Sequence, residues 1–141
     1  MPAPQPPQRK LTIPPPCDIT LGLVCVDKST PGTTVWEMPA EERFANPAGF
    51  VQGGIVAALA DTAMAAASIT ANSGRKVFTA NTDLHISFLR PAGVGGKLIC
   101  TARAVSNGKR VCFLEAEVTD GEGTVVARAS STYLLTPRDD N

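Results

Sequence analysis

A single carboxylate stands in the middle of the longest apolar stretch of the chain. Asp61 is the only ionisable residue in GGIVAALADTAMAAASITA, which begins at Gly53 and ends at Ala71. Burying a carboxylate is costly unless hydrogen bonds or an opposite charge compensate for it. Asp61 is therefore either a structural residue bonded to backbone or hydroxyl groups, with Thr62 adjacent, or a general base or nucleophile in a site of low polarity.

Two glycines open this stretch, directly after Gln52. The first N–H groups of a helix have no intrahelical partner and carry the positive end of the helix dipole. Because glycine lets a ligand approach the backbone closely, Gly53 and Gly54 could present an oxyanion hole to a carbonyl oxygen. The alternative is that the pair only permits tight packing where the helix begins.

Asp61 follows Gly53 by eight residues, which corresponds to about 12 Å along one straight helix. Two groups at that separation cannot flank a single carbonyl. A site that uses both is therefore expected to be completed across an interface between subunits.

The chain lacks the residues that other hydrolytic or metal sites need. His85 is its only histidine and lies far from any G-x-S-x-G turn. We therefore expect a structural or interface role for it rather than a place in a Ser-His-Asp or Cys-His arrangement. One histidine without a cluster of Cys or Glu also predicts no metal site. No C-x-x-C spacing, and hence neither a zinc nor a redox motif, is found among Cys17, Cys25, Cys100 and Cys112.

The elements that must hold these residues follow a pattern typical of an α+β fold, with one helix against one antiparallel sheet. Periodicity predicts strands over residues 21–26, 33–38, 77–89, 97–105, 110–119 and 124–135, a helical turn over 40–44 and a helix over 53–72. The strand over 77–89 alternates, with Phe78, Ala80, Leu84, Ile86 and Phe88 on one face and Thr79, Asn81, Asp83, His85 and Ser87 on the other.

Residues 97–119 predict a hairpin that turns at residues 106–108. The predicted register pairs Cys112 with Ala102 and leaves Cys100 as a diagonal neighbour of Cys112, roughly 7–8 Å away. A disulfide needs its two Cα atoms closer than about 7 Å. Both cysteines are therefore expected to be buried free thiols.

Composition and charge exclude several functions. With 141 residues the chain has room for one domain. Its 13 basic and 13 acidic residues cancel, which removes the electrostatic basis for binding nucleic acid or an anionic membrane. Only 18% of the residues are charged, against about 25% in typical soluble domains. Abundant alanine, two glycines and Asp61 also make residues 53–71 a poor membrane span.

The first sixteen residues contain seven of the twelve prolines and no apolar run. We expect residues 1–16 to be a disordered tail and residues 17–141 to form the domain. Because the tail has the pattern of neither a signal peptide nor a transit sequence, a cytoplasmic location is expected.

Three segments carry a resemblance to a known family. They are NPAGFVQGGIVAALADTAMAAAS, TANTDLHISFLRPAGVGGKLICTARAV and NGKRVCFLEAEVTDGEGTVVARASSTYL. Together they contain N-x-x-G-x-x-x-G-G-x-x-x-x-L-x-D and a strand that ends in F-L-R-P. Over roughly residues 20–135 the chain resembles the PaaI-like acyl-CoA thioesterases of the hotdog-fold superfamily. The resemblance implies a long antiparallel sheet wrapped around one central helix, and homodimers that associate as homotetramers.

The resemblance also implies a reaction: hydrolysis of an acyl- or aryl-CoA thioester to a free acid and coenzyme A, without a metal or redox cofactor. In this family the acidic residue of the helix, here Asp61, acts as general base or nucleophile. The N–H of Gly53 polarises the thioester carbonyl, Asn46 positions the water or the carbonyl, and Thr79 supports the water. Asp61 and the segment that contains Gly53 come from different subunits.

Candidate substrate-binding residues follow from the same resemblance. Coenzyme A carries a diphosphate and a 3′-phosphate, for which Arg90, Lys109 and Arg110 are candidate partners. The alternative is that each of the three is an ordinary solvated charge in a loop. Gln52 and Gly54 adjoin the expected carbonyl site. Met64 is either part of the wall of the acyl pocket or a plain core residue.

Gln52 is a departure from the family, in which most relatives carry His at this position. Glutamine can donate and accept hydrogen bonds but cannot titrate. Two other functions therefore stay open at this point. One is a non-catalytic protein that binds acyl-CoA or another small ligand, and the other is a purely structural oligomer.

Overall fold

One curled antiparallel sheet and one long helix make up most of the computed structural model, which describes residues 12–138. The helices are α1 (Pro16–Leu21) and α2 (Gly53–Ala71), with a 3-10 turn over Glu42–Phe44. The strands are β1 (Val24–Asp27), β2 (Thr33–Pro39), β3 (Val77–Asn81), β4 (His85–Phe88), β5 (Lys97–Asn107), β6 (Val111–Thr119) and β7 (Val125–Pro137). Most of the predicted tail, residues 1–11, lies outside the described residues, so its disorder stays a prediction.

The sheet has the strand order β1-β2-β5-β6-β7-β3, and β4 also pairs with β7. Every pair of neighbouring strands is antiparallel. α2 lies against the inner face of this sheet and contacts five of its strands, β2, β3, β5, β6 and β7. Together they enclose the core, whose largest buried members include Met38, Leu59, Met64, Leu98, Leu114, Val118 and Tyr133. The prediction of an α+β fold with one sheet wrapped around one helix is confirmed.

The bounds of α2 agree with the predicted helix, but its burial is one-sided. Its core face consists of small and medium-sized residues, Val56, Leu59, Ala60, Ala63, Met64, Ala67 and Ser68. On the β2 side the hydroxyl of Thr34 donates a hydrogen bond of 2.8 Å to the carbonyl of Ala63. The other side of the helix is also apolar, yet Ala58, Ala65 and their neighbours are half-buried and Ile69 is exposed. By length and composition α2 could cross a membrane, but a core helix meets the same criteria.

The N-terminal strand prediction, residues 21–26, is wrong over its first half. Pro16 stands at the start of α1, a position where proline is tolerated because the first helical N–H groups lack intrahelical partners. The short helix ends at Gly22, whose φ of 71° places it in the left-handed region that favours glycine. The strand β1 begins only at Val24.

The single strand predicted over residues 77–89 is two strands whose faces are exchanged. Thr79 and Asn81 of β3 face α2, whereas His85 and Ser87 of β4 are on the outer face opposite Ser130 and Arg128 of β7. The change occurs at residues 82–84, where the side chain and carbonyl of Asp83 accept hydrogen bonds from β7. Strict alternation predicts that all the polar residues share one face of a single strand. Because the strand is interrupted at residues 82–84, the polar residues of β3 face the helix and those of β4 face outwards.

The predicted register of the β5–β6 hairpin is wrong, although the hairpin itself is present. Ala102 pairs with Ala116, and Cys112 pairs with Asn107. β5 extends two residues further than predicted and β6 begins one residue later, and a bulge at residues 104–106 shifts their pairing. Cys100 and Cys112 are nevertheless buried free thiols, as expected. Burial raises the pKa of the Cys100 thiol to about 12.

Candidate active site

A cavity of about 430 Å³ opens where α2 begins. The loop before the helix, the first turns of the helix and the segment after β4 supply its walls. Its polar contributors are Asn46, the backbone of Gly53 and Arg90. Its apolar lining consists of Phe50, Val51, Val56, Phe88, Leu89, Pro91, Ala92 and Val126. The cavity therefore joins a helix N-terminus to a largely apolar wall.

Asn46 holds the loop that leads into the helix. Its side-chain oxygen Oδ1 accepts hydrogen bonds from the backbone N–H groups of Ala48, at 3.0 Å, and Phe50, at 3.1 Å. Gly49 completes the turn with a φ of 86°, a conformation that residues with a Cβ rarely adopt. Within residues 12–138 the amide Nδ2 of Asn46 donates to no partner, so this group can be offered to a ligand in the cavity.

Gly53 lies directly beneath an aromatic ring. A Cβ added to Gly53 would lie 3.0 Å from Cζ of Phe88, whereas one added to Gly54 would meet nothing within 4 Å. Phe88 itself is 53% exposed, so its ring forms a wall of the cavity. A side chain at Gly53 would therefore require the ring of Phe88 to shift.

Asp61 lies in the middle of α2 on the side that faces β3 and β7. Its carboxylate oxygen Oδ1 accepts a hydrogen bond of 2.9 Å from Nδ2 of Asn81. The hydroxyl of Tyr133 is 3.5 Å from the same Oδ1 and 3.4 Å from the backbone carbonyl of Asp61. Oδ2 accepts no hydrogen bond from any residue in the described range 12–138. The carboxylate is half-buried, with one oxygen held and one available.

Tyr133 is 2% exposed and points from β7 to the helix. Burial is the main reason why the pKa of its phenol is raised, and the negative charge of Asp61 raises it further. The phenol is therefore neutral at physiological pH. Because an ionised carboxylate can only accept hydrogen bonds, the phenol is the donor in this contact.

Within one chain Thr79 contacts Ser68 rather than Asp61, and its expected support of the water stays a prediction. Its hydroxyl accepts a hydrogen bond of 2.9 Å from Ser68, about two turns along α2 from Asp61. Asn81, two residues further along β3, is the strand residue that contacts the carboxylate. Sequence reasoning missed both Asn81 and Tyr133. The available signal was the polar alternation Thr79-x-Asn81, which indicates one face but not which residue stands opposite Asp61.

The candidate substrate-binding residues are distributed over several regions. Gln52 is exposed immediately before α2, and its carbonyl accepts bonds from the N–H groups of Ile55 and Val56. Gly54 is also exposed, whereas Met64 is fully buried in the core. Arg90 lines the cavity and donates a bond of 3.0 Å to the carbonyl of Val125.

Lys109 and Arg110 lie at the opposite end of the helix from Gly53. They form part of the turn between β5 and β6, where the carbonyl of Lys109 accepts a hydrogen bond of 2.6 Å from Arg75. Arg75 follows the C-terminal end of α2 and also bonds Asn72. Within one chain these two basic residues are therefore remote from the cavity.

Thus one chain brings Asn46, Gly53 and Arg90 together, while Asp61 lies further along the helix with Asn81. Among residues 12–138, no group of three His, Cys, Asp or Glu side chains could hold a metal ion. The expectation that the protein works without a metal or redox cofactor stays a prediction.

Comparisons with known proteins agree with this architecture. The thioesterase superfamily matches residues 48–127. Human acyl-coenzyme A thioesterase 13 is 28% identical over 116 residues, which are 82% of this chain and 81% of the human protein.

Two solved structures are similar throughout the domain. A phenylacetic acid degradation-related protein of Ralstonia eutropha is 33% identical, with a TM-score of 0.76 over 85% of this chain and 89% of the other. A variant of the phenylacetic acid degradation protein PaaI from Thermus thermophilus is 28% identical, with a TM-score of 0.78 over 85% and 98%. These matches confirm the resemblance to PaaI-like proteins and the prediction of a thioester hydrolase. The chain belongs to the thioesterase superfamily.

Proposed function

We propose that this protein is an acyl-CoA thioesterase that hydrolyses an acyl- or aryl-CoA thioester to the free acid and coenzyme A. The observation that carries the proposal is the carboxylate of Asp61, which is half-buried in an apolar helix with Oδ1 held by Asn81 and Oδ2 free to react. The similarity to acyl-coenzyme A thioesterase 13 supports the substrate class. The phenylacetic acid degradation proteins among the relatives favour including aryl thioesters.

Asp61 acts on the thioester as general base or as nucleophile. As a base, Oδ2 takes a proton from a water molecule that attacks the carbonyl carbon, and the tetrahedral intermediate then expels the thiolate of coenzyme A. As a nucleophile, Oδ2 attacks the carbonyl carbon and expels the thiolate of coenzyme A, which leaves a mixed anhydride on Asp61. Water then cleaves this anhydride, releasing the free acid and restoring the carboxylate. In both cases the carbonyl oxygen becomes negative, and the N–H of Gly53 at the start of α2 stabilises it.

The cavity beside Gly53 suits the carbonyl end of such a substrate. The free amide Nδ2 of Asn46 is a second donor for the carbonyl or for the water. Arg90 stands in the same cavity, where its guanidinium can pair with a phosphate group of coenzyme A. The apolar side chains Phe50 and Phe88 provide a surface for the uncharged part of the substrate.

The active site is shared between two copies of the chain. Gly53 and Asp61 are about 12 Å apart along the axis of α2, so the two groups of one chain cannot meet at one carbonyl. A homodimer in which Asp61 of one copy faces Gly53 of the other brings them together, and two such dimers associate as a homotetramer. The reaction in this arrangement uses no metal or redox cofactor.

The test is the isosteric variant Asp61→Asn, which preserves shape and hydrogen bonding but cannot accept a proton or attack. We expect kcat for acyl-CoA hydrolysis, measured as release of free thiol, to fall by at least about 100-fold. Binding of acyl-CoA, measured by calorimetry, should persist. The matched control Asp27→Asn removes an exposed carboxylate that bonds only Ser29 locally, and it should keep wild-type turnover.

Two results would contradict the proposal. If Asp61→Asn hydrolyses acyl-CoA at the wild-type rate, Asp61 is not the reacting group. If the wild-type protein binds acyl-CoA but releases no thiol from a panel of short, medium and aryl thioesters, the protein is a binding module instead.

A further inference from the structure

Tyr133 is a buried titratable residue for which the proposed reaction has so far given no role. It is the only tyrosine in the chain, it is 2% exposed, and it comes from β7 rather than from the helix or its flanking loops. Its hydroxyl faces Asp61, 3.5 Å from Oδ1 and 3.4 Å from the backbone carbonyl. A phenol that is brought this close to a carboxylate in the core carries a cost of burial that a hydrogen bond would offset.

The geometry divides the two carboxylate oxygens of Asp61 into different roles. Oδ1 faces two neutral donors, Nδ2 of Asn81 at 2.9 Å and the hydroxyl of Tyr133 at 3.5 Å. The donors reach it from different strands, β3 and β7, so they fix both the direction and the rotation of the carboxylate. Hydrogen bonds to catalytic groups commonly shorten when a substrate is bound.

We propose that Tyr133 is a positioning residue for the hydrolysis. Together with Asn81 it holds Oδ1 of Asp61, so that Oδ2 is the oxygen that reacts with water or with the thioester. This inference rests on the proposed function, because it assigns Tyr133 a role through Asp61. Tyr133 itself touches no reacting atom.

A purely structural role for Tyr133 would consist of anchoring α2 to the sheet through the carbonyl of Asp61. The chain offers a matched control for this role. Thr34 is fully buried on β2, whereas Tyr133 is on β7, and the hydroxyl of Thr34 bonds the carbonyl of Ala63, two residues further along the same helix. Thr34→Val therefore removes a buried hydroxyl that anchors α2 without touching the carboxylate of Asp61.

The kinetic test compares Tyr133→Phe with Thr34→Val in the assembled protein. We expect Tyr133→Phe to lower kcat about 10-fold, which corresponds to the loss of one hydrogen bond to a charged group, with KM changed less than about twofold. Thr34→Val should keep kcat within about twofold of wild type. Equal losses of kcat in the two variants, or no loss in Tyr133→Phe, would overturn the positioning role.

A spectroscopic test reads the contact without relying on turnover. Because the chain has a single tyrosine, 3-fluorotyrosine incorporation places one titratable probe at position 133. The charge of Asp61 raises the phenol pKa, so the titration midpoint should fall in Asp61→Asn. The other titratable group that faces the phenol, Cys112 on β6, is unchanged in that variant. An unchanged midpoint would show that the two groups do not interact.

The two tests separate this inference from the proposed function. A wild-type protein that hydrolyses no acyl-CoA overturns both the function and the positioning role of Tyr133, whatever the titration shows. Turnover that depends on Asp61 but is unaffected in Tyr133→Phe leaves the function standing and overturns this inference alone.

Discussion

At the residue scale, Gly53 and Gly54 have similar sequence surroundings but different spatial ones. Both begin the same helix, where alanine is normally preferred over glycine by about 0.5–1 kcal/mol. A Cβ at Gly54 meets open space, whereas one at Gly53 meets the ring of Phe88 at 3.0 Å. Adding a methyl group at Gly53 or at Gly54 therefore gives two variants of one helix start, which differ in what the added group contacts.

We predict that Gly54→Ala raises the free energy of unfolding by about 0.5–1 kcal/mol. Gly53→Ala should gain less stability, because the partly exposed ring of Phe88 must shift. Its kcat/KM should fall by about 10-fold or more, since the methyl group enters the cavity where a carbonyl would approach the N–H. Denaturant unfolding and thiol-release kinetics measure these effects. A Gly53→Ala protein with wild-type kcat/KM would show that the carbonyl does not approach through the space that the added methyl group fills.

The sequence predicts the residue types of the candidate site better than their pairing. The chemistry of Asp61 follows from its isolation in an apolar helix, and the availability of the Gly53 N–H follows from the helix start. The partner of the carboxylate does not follow, because Thr79 and Asn81 are on the same face of β3 and only the packing of that strand on α2 decides between them. Tyr133 is remote in sequence and looks like an ordinary core residue in β7.

At the element scale, the break between β3 and β4 decides which side chains reach the helix. Oδ1 of Asp83 accepts a hydrogen bond of 2.8 Å from the N–H of Thr132, and its carbonyl accepts bonds from Ser131 and, at 3.4 Å, from the amide of Asn81. The break thus fixes Asn81 towards Asp61 while β4 continues with the opposite face inward. The alternation of polar and apolar residues in the sequence cannot reveal this exchange of inner and outer faces, because β3 and β4 each still alternate.

We predict that Asp83→Ala lowers the free energy of unfolding by about 1–3 kcal/mol, because a backbone N–H loses a charged acceptor. It should also lower kcat, since the backbone that orients Asn81 is loosened. Asp120→Ala is the matched control, because Oδ1 of Asp120 similarly accepts the N–H groups of Glu122 and Thr124 in the turn before β7. That variant should lose comparable stability and keep its kcat. Equal kcat values in the two variants would show that the break does not position the site.

Other elements show where local sequence information is sufficient. The long helix is correctly predicted because its apolar run and its opening glycines are local features. The β5–β6 hairpin is predicted, but its register is not, and a bulge at residues 104–106 shifts the pairing within it. The short helix α1 is missed because six residues carry too little periodicity to distinguish a helix from a strand.

At the scale of the whole molecule, a single chain leaves much apolar surface exposed. Phe50, Phe88 and Leu89 are exposed around the cavity, and Ile69 is 60% exposed on the outer side of α2. The fraction of charged residues, 18%, is low for a soluble domain. Clustered apolar surface of this kind is typical of an interface between protein chains. Three of these residues, Phe50, Phe88 and Leu89, surround Gly53, one of the two groups that one chain cannot bring together.

If the active site is shared between two chains, two inactive variants should restore activity when they form a mixed dimer. A site within one chain could not recover in this way. Asp61→Asn and Gly53→Ala each damage both sites of their own homodimer. When the two proteins are unfolded together and refolded as a mixture, half of the dimers should contain one copy of each. In such a dimer one site receives both substituted residues, and the other receives Asp61 and Gly53 intact. Because half of the dimers each have one intact site out of two, turnover should recover to about a quarter of the wild-type value.

Light scattering provides the control, since both variants must assemble as the wild type does, in dimers or tetramers. If the parent proteins assemble and the mixture remains as inactive as they are separately, the site lies within one chain and the separation of Gly53 from Asp61 needs another explanation. A monomeric wild-type protein with full turnover would lead to the same conclusion. Recovery of activity would instead establish that the apolar surface around the cavity is buried against the subunit that supplies the carboxylate.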